Sequence, residues 1–195
     1  MSNSSGDNYG FLQNEYYNPN WDTLAELASK KVDEVIAKIQ RGEWKGPNGE
    51  VFKPSKVCAV IDSRTKKIYI GCSGSQKYNP TRQNPMAYKF SDLTSELKER
   101  IEITKKRAKK YNNIENPQNI IQDSFKIYSV DNCAEIFAAD YAINHGAKIN
   151  NLLFCTKEYR DKNNRGKIAT LCTNCKSTFE DCYACYECDG DNPYI

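Results

Sequence analysis

The hydrophobic positions of this 195-residue chain fall into a few periodic blocks separated by polar stretches. Residues 1–20 show no period; they are polar with scattered aromatics, so this end is expected to lie over the surface or stay mobile, with order beginning near Trp21. Leu24, Leu27, Val32, Val35, Ile36 and Ile39 then recur at helical spacing until Gly42, and Thr23-x-x-Glu26 has the form of a capping box. One amphipathic helix is predicted there. After the turn residues Gly46-Pro47-Asn48-Gly49, the β-rich segments 56–61 and 67–72 flank a polar connection at 62–66 and predict an antiparallel hairpin.

Residues 73–85 read as loop from their Gly, Asn and Pro content. The highly charged stretch 91–111 predicts a helix with one thin apolar stripe, Leu93, Leu97, Ile101 and Ile103. Beyond an Asn/Pro-rich connection, residues 124–130 read as a short strand or extended lead-in, and Ile136, Phe137, Tyr141 and Ile143 mark a helix ending near Gly146. Cys133 then sits at the N-terminus of that helix. Leu152, Leu153 and Phe154 predict a buried strand, residues 157–170 a basic loop, and Leu171 leads into a cysteine pair. There is no internal repeat. The order helix, hairpin, helix, strand, helix implies an α/β fold, a sheet with helices packed on it.

Length and a 39% hydrophobic content suit one domain, here residues 21–180, followed by an acidic, cysteine-containing tail at 181–195. No run reaches the roughly 18 apolar residues of a membrane span, and no conventional signal peptide is visible, so a cytoplasmic site of action is expected. The odd count of nine cysteines and their C-x-x-C clusters favour reduced thiols and metal over a disulfide scaffold. A net charge of +3 carries no nucleic-acid argument by itself, so local patches must.

The chemistry concentrates in Cys133-Ala134-Glu135 and Cys172-Thr173-Asn174-Cys175. Three thiolates leave a tetrahedral metal one open position for water, and a carboxylate two residues from a ligand can move protons beside it. Both ligand segments follow extended segments and open helices, whose positive dipole ends favour thiolate over thiol. A purely structural metal site is the competing reading, because C-x-x-C is common in such sites.

Gly71-Cys72-Ser73-Gly74 after a hairpin, Asn132-Cys133-Ala134-Glu135 opening a helix, and Cys172-Thr173-Asn174-Cys175 together resemble the cytidine deaminase-like superfamily across roughly residues 22–180. Within it the chain looks most like the YwqJ-like deaminases of bacterial polymorphic toxins. The resemblance implies a three-layer sandwich, a central mixed sheet with helices on both faces. It further implies Zn2+ on Cys133, Cys172 and Cys175, Glu135 as the proton shuttle, and deamination of a base, cytosine by family analogy, in single-stranded DNA or RNA. A toxin would also have an immunity protein as partner and a specialised secretion route. Two departures stand out: Leu171 replaces the proline common before the C-x-x-C, and only twenty residues follow Cys175. A metabolic deaminase of free nucleosides is the alternative, against which stands Ser73-Gly74-Ser75 where those enzymes carry ribose-binding residues.

Ser73, Ala134, Tyr159 and Arg160 are the candidate substrate contacts; the basic segment 157–167 suits a phosphate backbone and its Tyr159 a stacked base. The charged stretch 98–110 reads as a solvated helix face, or as a surface for nucleic acid or an acidic partner. Cys182, Cys185 and Cys188 admit an iron–sulfur cluster, a second zinc borrowing Cys155, or plain tail thiols, and Cys182 and Cys185 could also close a four-thiolate knot with Cys172 and Cys175. Cys58, Cys72 and Cys155 read as small buried hydrophobes, and the lone His145 as a capping or surface residue.

Overall fold

The computed structural model describes residues 20–44, 52–74 and 92–185. The element order is α1 (Trp21–Gln40), β1 (Lys56–Asp62), β2 (Ile68–Cys72), α2 (Ser95–Glu115), α3 (Ala134–Asn144), β3 (Leu152–Glu158), α4 (Thr173–Thr178) and β4 (Tyr183–Ala184). The strands form one mixed sheet in the order β2-β1-β3-β4, with β1 antiparallel to both neighbours and β3 parallel to β4. The Gly46–Gly49 turn, most of the 73–85 loop, Cys188 and the N-terminal segment lie outside the described residues.

Strand alternation divides the core in two. Val57, Ala59 and Ile61 of β1, with Leu153 and Cys155 of β3, pack under the apolar stripe of α1, Leu24, Ala28, Val32, Val35, Ile36 and Ile39. Cys58, Val60, Leu152 and Phe154 point the other way, against α3 and α2. Helices therefore cover both faces of an α/β sandwich. Among the described residues no helix is long and apolar enough to cross a membrane.

α3 lies close on β2 because both surfaces are cut down to small residues. Ala134, Ala138, Ala139 and Ala142 are buried, and a Cβ added to Gly71 would stand 2.1 Å from the Ala134 carbonyl oxygen and 2.4 Å from the Ala138 nitrogen. No other residue fits at position 71, which makes it the contact that sets the height of α3 above the sheet.

Several expectations shift. The N-cap of α1 is Asn20, whose Oδ1 accepts from the Thr23 backbone N–H at 3.1 Å, so Thr23 and Glu26 lie inside the helix rather than forming a capping box. Trp21 stacks on Tyr183 at 3.8 Å, which gives that first turn a tertiary anchor. α2 starts at Ser95 and runs to Glu115, later than its charge pattern suggested, and Ile103 is exposed. Its buried line continues through Thr104, Ala108 and Asn112. Residues 124–129 form no strand. Their polar groups bond to helices instead of a sheet: the Asn112 amide donates to the Ser124 carbonyl at 2.8 Å, and Asn174 Oδ1 accepts from Phe125 N at 3.0 Å. His145 caps the C-terminus of α3 on the surface, as expected.

Candidate metal centre

Cys133 is the N-cap of α3 and Cys172 the N-cap of α4, so both helices point their N-termini at one place. Cys175 lies one turn into α4, and at that spacing its sulfur returns to the side of Cys172. The sulfurs of Cys133, Cys172 and Cys175 all fall within 4.8 Å of one another, with Cys133 and Cys172 at 3.7 Å. A tetrahedral ion with metal–sulfur bonds of about 2.3 Å places its ligand sulfurs about 3.8 Å apart. The three side chains thus fit a single metal ion, and among the described residues no fourth ligand atom completes the group.

Glu135, 3% exposed, sits against this cluster. Thr156 of β3 donates its hydroxyl to Glu135 Oε1 at 3.0 Å, and the Cys175 thiol lies 3.5 Å from Oε2. Burial, followed by the charge on Cys172, pushes the Glu135 carboxyl above its usual range. The thiols divide their protons unequally. Hydrogen bonds from Cys133, Cys175 and Tyr128 lower the pKa of the Cys172 thiol, while Cys133 and Cys175, which donate to it, are pushed up.

A cavity of about 260 Å³ opens onto the cluster, lined by Cys133, Cys172, Ala134 and Glu135 at its floor and by Tyr128, Asn132, Ser73 and Gly74 on its walls, with Lys53, Ser55, Lys56 and Arg160 completing it. Topology explains this convergence. Because β1 is antiparallel to both β2 and β3, its start lies beside the ends of both. Ser73 Oγ accepts from the Ser55 and Lys56 N–H groups at 2.8 and 2.9 Å, Ser55 O accepts from Tyr159 N and Arg160 N, and Gly74 N donates to Asn132 O at 3.2 Å. That last bond ties the end of β2 to the turn carrying Cys133.

Ser73, Ala134 and Arg160 are therefore brought to the cavity with Glu135 and the thiols. Tyr159 is not. Its ring is 6% exposed and packs in the core under α1, with Arg165 over its other side at 4.9 Å, because it follows β3 on the inward-facing alternation. Lys157 also leaves the basic loop: it belongs to β3 and turns to α1, where Nζ meets both carboxylate oxygens of Asp33 at 2.8 Å. On α2, Arg100 and Arg107 pair with Asp181 and Glu180, so the acidic partner of that basic stretch includes the residues following α4 in the same chain.

Of the second cysteine cluster, Cys188 lies outside the described residues, and Cys182 and Cys185 do not come together. Cys182 packs toward the α3 side, its thiol 3.3 Å from Ile149 O, whereas Cys185 enters the α1 side, 4.0 Å from Ala25 O. Neither joins Cys172 and Cys175, so the four-thiolate knot is absent among the described residues. Cys185 does hydrogen-bond with Cys155, which lowers the latter's pKa, so Cys155 is more than inert filling.

Sequence reasoning missed Thr156, Tyr128, Lys53, Lys56 and Asn174. Asn174 lies inside the C-x-x-C motif, and its amide donates to Ser124 Oγ at 2.9 Å, clamping to α4 the segment that carries Tyr128. Its burial between two cysteines was the only available signal, and it needed the fold to be read. No family model matches this chain, and no curated protein or solved structure matches it significantly.

Proposed function

We propose that the protein is a zinc-dependent hydrolytic deaminase of a nucleobase, with a fold of the cytidine deaminase-like kind. The observation that carries the reading is the convergence of Cys133, Cys172 and Cys175 on one buried point with Glu135 beside it, at the floor of an open cavity. Zinc bound there supplies a Lewis acid that activates water near neutral pH. Glu135 carries protons at its carboxyl oxygens: burial favours the protonated form, Thr156 steadies Oε1, and Oε2 stays on the cluster side. Ala134 and Tyr128 both line the cavity and offer a planar ring its apolar and aromatic contacts. Three protein ligands with an adjoining cavity favour a reactive site over a closed structural one.

The choice of cytosine, and a role as a toxin effector countered by an immunity protein, rest on the motif resemblance alone. The test is ammonia release from single-stranded DNA, RNA, cytidine and adenosine by zinc-quantified protein. Glu135→Gln is expected to keep one zinc per chain and lose turnover by about 100-fold or more. Zinc-loaded wild type that deaminates none of these substrates overturns the reading in favour of a structural metal module.

A further inference from the structure

The cavity is electrically divided. Its buried end holds the Cys133 and Cys172 side chains and Glu135, while its rim holds Lys53, Lys56 and Arg160. The three cations differ. Lys56 is committed to Glu158, Nζ to Oε1 at 2.9 Å. Lys53 and Arg160 are exposed and take part in no ion pair among the described residues. They are also held together: Arg160 Nη2 donates to the Lys53 carbonyl oxygen at 2.8 Å, and the Arg160 backbone N–H donates to Ser55 O at 3.2 Å. One guanidinium edge is used for orientation, leaving the other N–H groups at the mouth.

We propose that Lys53 and Arg160 form a phosphate site, so that the ligand of this cavity carries a phosphate joined to the nucleoside whose base enters it, and a free nucleoside is the poorer substrate. The proposal rests on the deaminase reading for the base but not for the phosphate. A guanidinium presents a planar fork suited to phosphate oxygens, and an ammonium adds a point charge beside it. At the exposed rim a phosphate meets two cations that no carboxylate among the described residues neutralises, whereas the buried end offers it no cationic side chain beyond Lys56, which is committed to Glu158. The division therefore orients the ligand, with its uncharged base inward and its anion outward. The backbone bonds fix where the rim stands relative to the floor, because they join the start of β1 to the ends of β2 and β3. A mononucleotide and a single strand share this phosphate chemistry.

The test uses the full zinc-loaded chain carrying Glu135→Gln, so that binding is read without turnover. Its probes are cytidine, cytidine 5′-monophosphate, a short cytosine-containing single strand, and the same strand with an abasic site at the cytosine. The phosphate-bearing ligands are expected to bind at least about tenfold tighter than cytidine. Adding Lys53→Ala and Arg160→Ala should erase that gain and lower the log–log salt slope of strand binding by about 1.4, from two lost phosphate contacts. Both side chains are exposed, and zinc content with thermal midpoint checks that the variant is folded. A gain shared by the monophosphate assigns a mononucleotide, and a gain confined to the strand assigns its phosphodiester. Equal binding of cytidine and every phosphate-bearing ligand overturns the proposal, as does a gain that survives the double substitution. If abasic-strand binding depends on Lys53 and Arg160 but the cytosine adds nothing and wild type deaminates nothing, the phosphate site stands and the deaminase reading falls.

Discussion

Cys172 and Cys175 share their spacing with Cys182 and Cys185, yet the two pairs do opposite things. The first pair opens a helix, where residues three apart stand on one face, and both sulfurs turn to Cys133. The second runs through β4, where an odd offset sends side chains to opposite faces, and its sulfurs enter the two separate cores. A C-x-x-C motif can thus hold a metal only in the right backbone. The first region also gathers Glu135, Thr156 and Tyr128 around its sulfurs; the second supplies Cys185 with one thiol neighbour, Cys155.

The largest effect that separates the regions is metal loss. Cys133→Ala or Cys175→Ala should reduce bound zinc to background, with a stability loss on the order of several kcal/mol, whereas Cys182→Ala and Cys185→Ala should each leave zinc content unchanged. Metal analysis after dialysis and thermal unfolding would read both, and zinc lost from Cys185→Ala would break the comparison. Next comes Gly71→Ala. Its methyl group meets backbone atoms of α3 that cannot step aside, so a loss of about 3 kcal/mol is expected in denaturant unfolding. Because α3 carries Cys133, zinc affinity should fall as well, although position 71 touches no ligand side chain.

A smaller effect comes from Thr156→Val, which removes the hydroxyl that lowers the Glu135 pKa against the stronger effect of burial. Glu135 should then hold its proton to higher pH, and the acidic limb of the turnover profile should move upward with zinc content unchanged. An unmoved limb would show that Glu135 does not set it. The smallest is Arg100→Ala. The Arg100 hydrogen bond holds the Asp181 carboxyl below its ordinary range, so the pair stabilises the fold above the unfolded pKa of about 4 and loses that contribution as pH falls through the lower folded value. Asp181 is exposed and Arg100 partly so, which leaves the pair screened by solvent, so the difference at pH 7 should be about 0.5 kcal/mol or less. It should vanish in unfolding measured near pH 2.

Much of the fold was legible one residue at a time. The α1 stripe, the 56–72 hairpin, the Leu152 strand and the positions of Cys133 and Cys172 at helix starts all follow from local periodicity and breakers, and the structure has them. Of the two readings of 124–130, short strand or extended lead-in, the strand failed because its residues lack period-two alternation strong enough to compete with the side-chain bonds offered by Asn112 and Asn174. Tyr159 misled because a basic loop with an aromatic looks the same whether the ring faces solvent or core; one residue of strand phase decides between them.

Local sequence alone determined which residues could act: three thiols and a carboxylate at helix starts, and the elements that carry them. Only the tertiary structure decided which of the eight described cysteines meet. Strand order put the start of β1 beside the ends of β2 and β3, bringing Lys53, Arg160 and Ser73 to the same cavity as Glu135. Lys53, Ser73 and Arg160 stand 82, 62 and 25 positions from Glu135, and a chain encodes such meetings through packing, such as the missing Cβ of Gly71, rather than through any spacing visible in one segment.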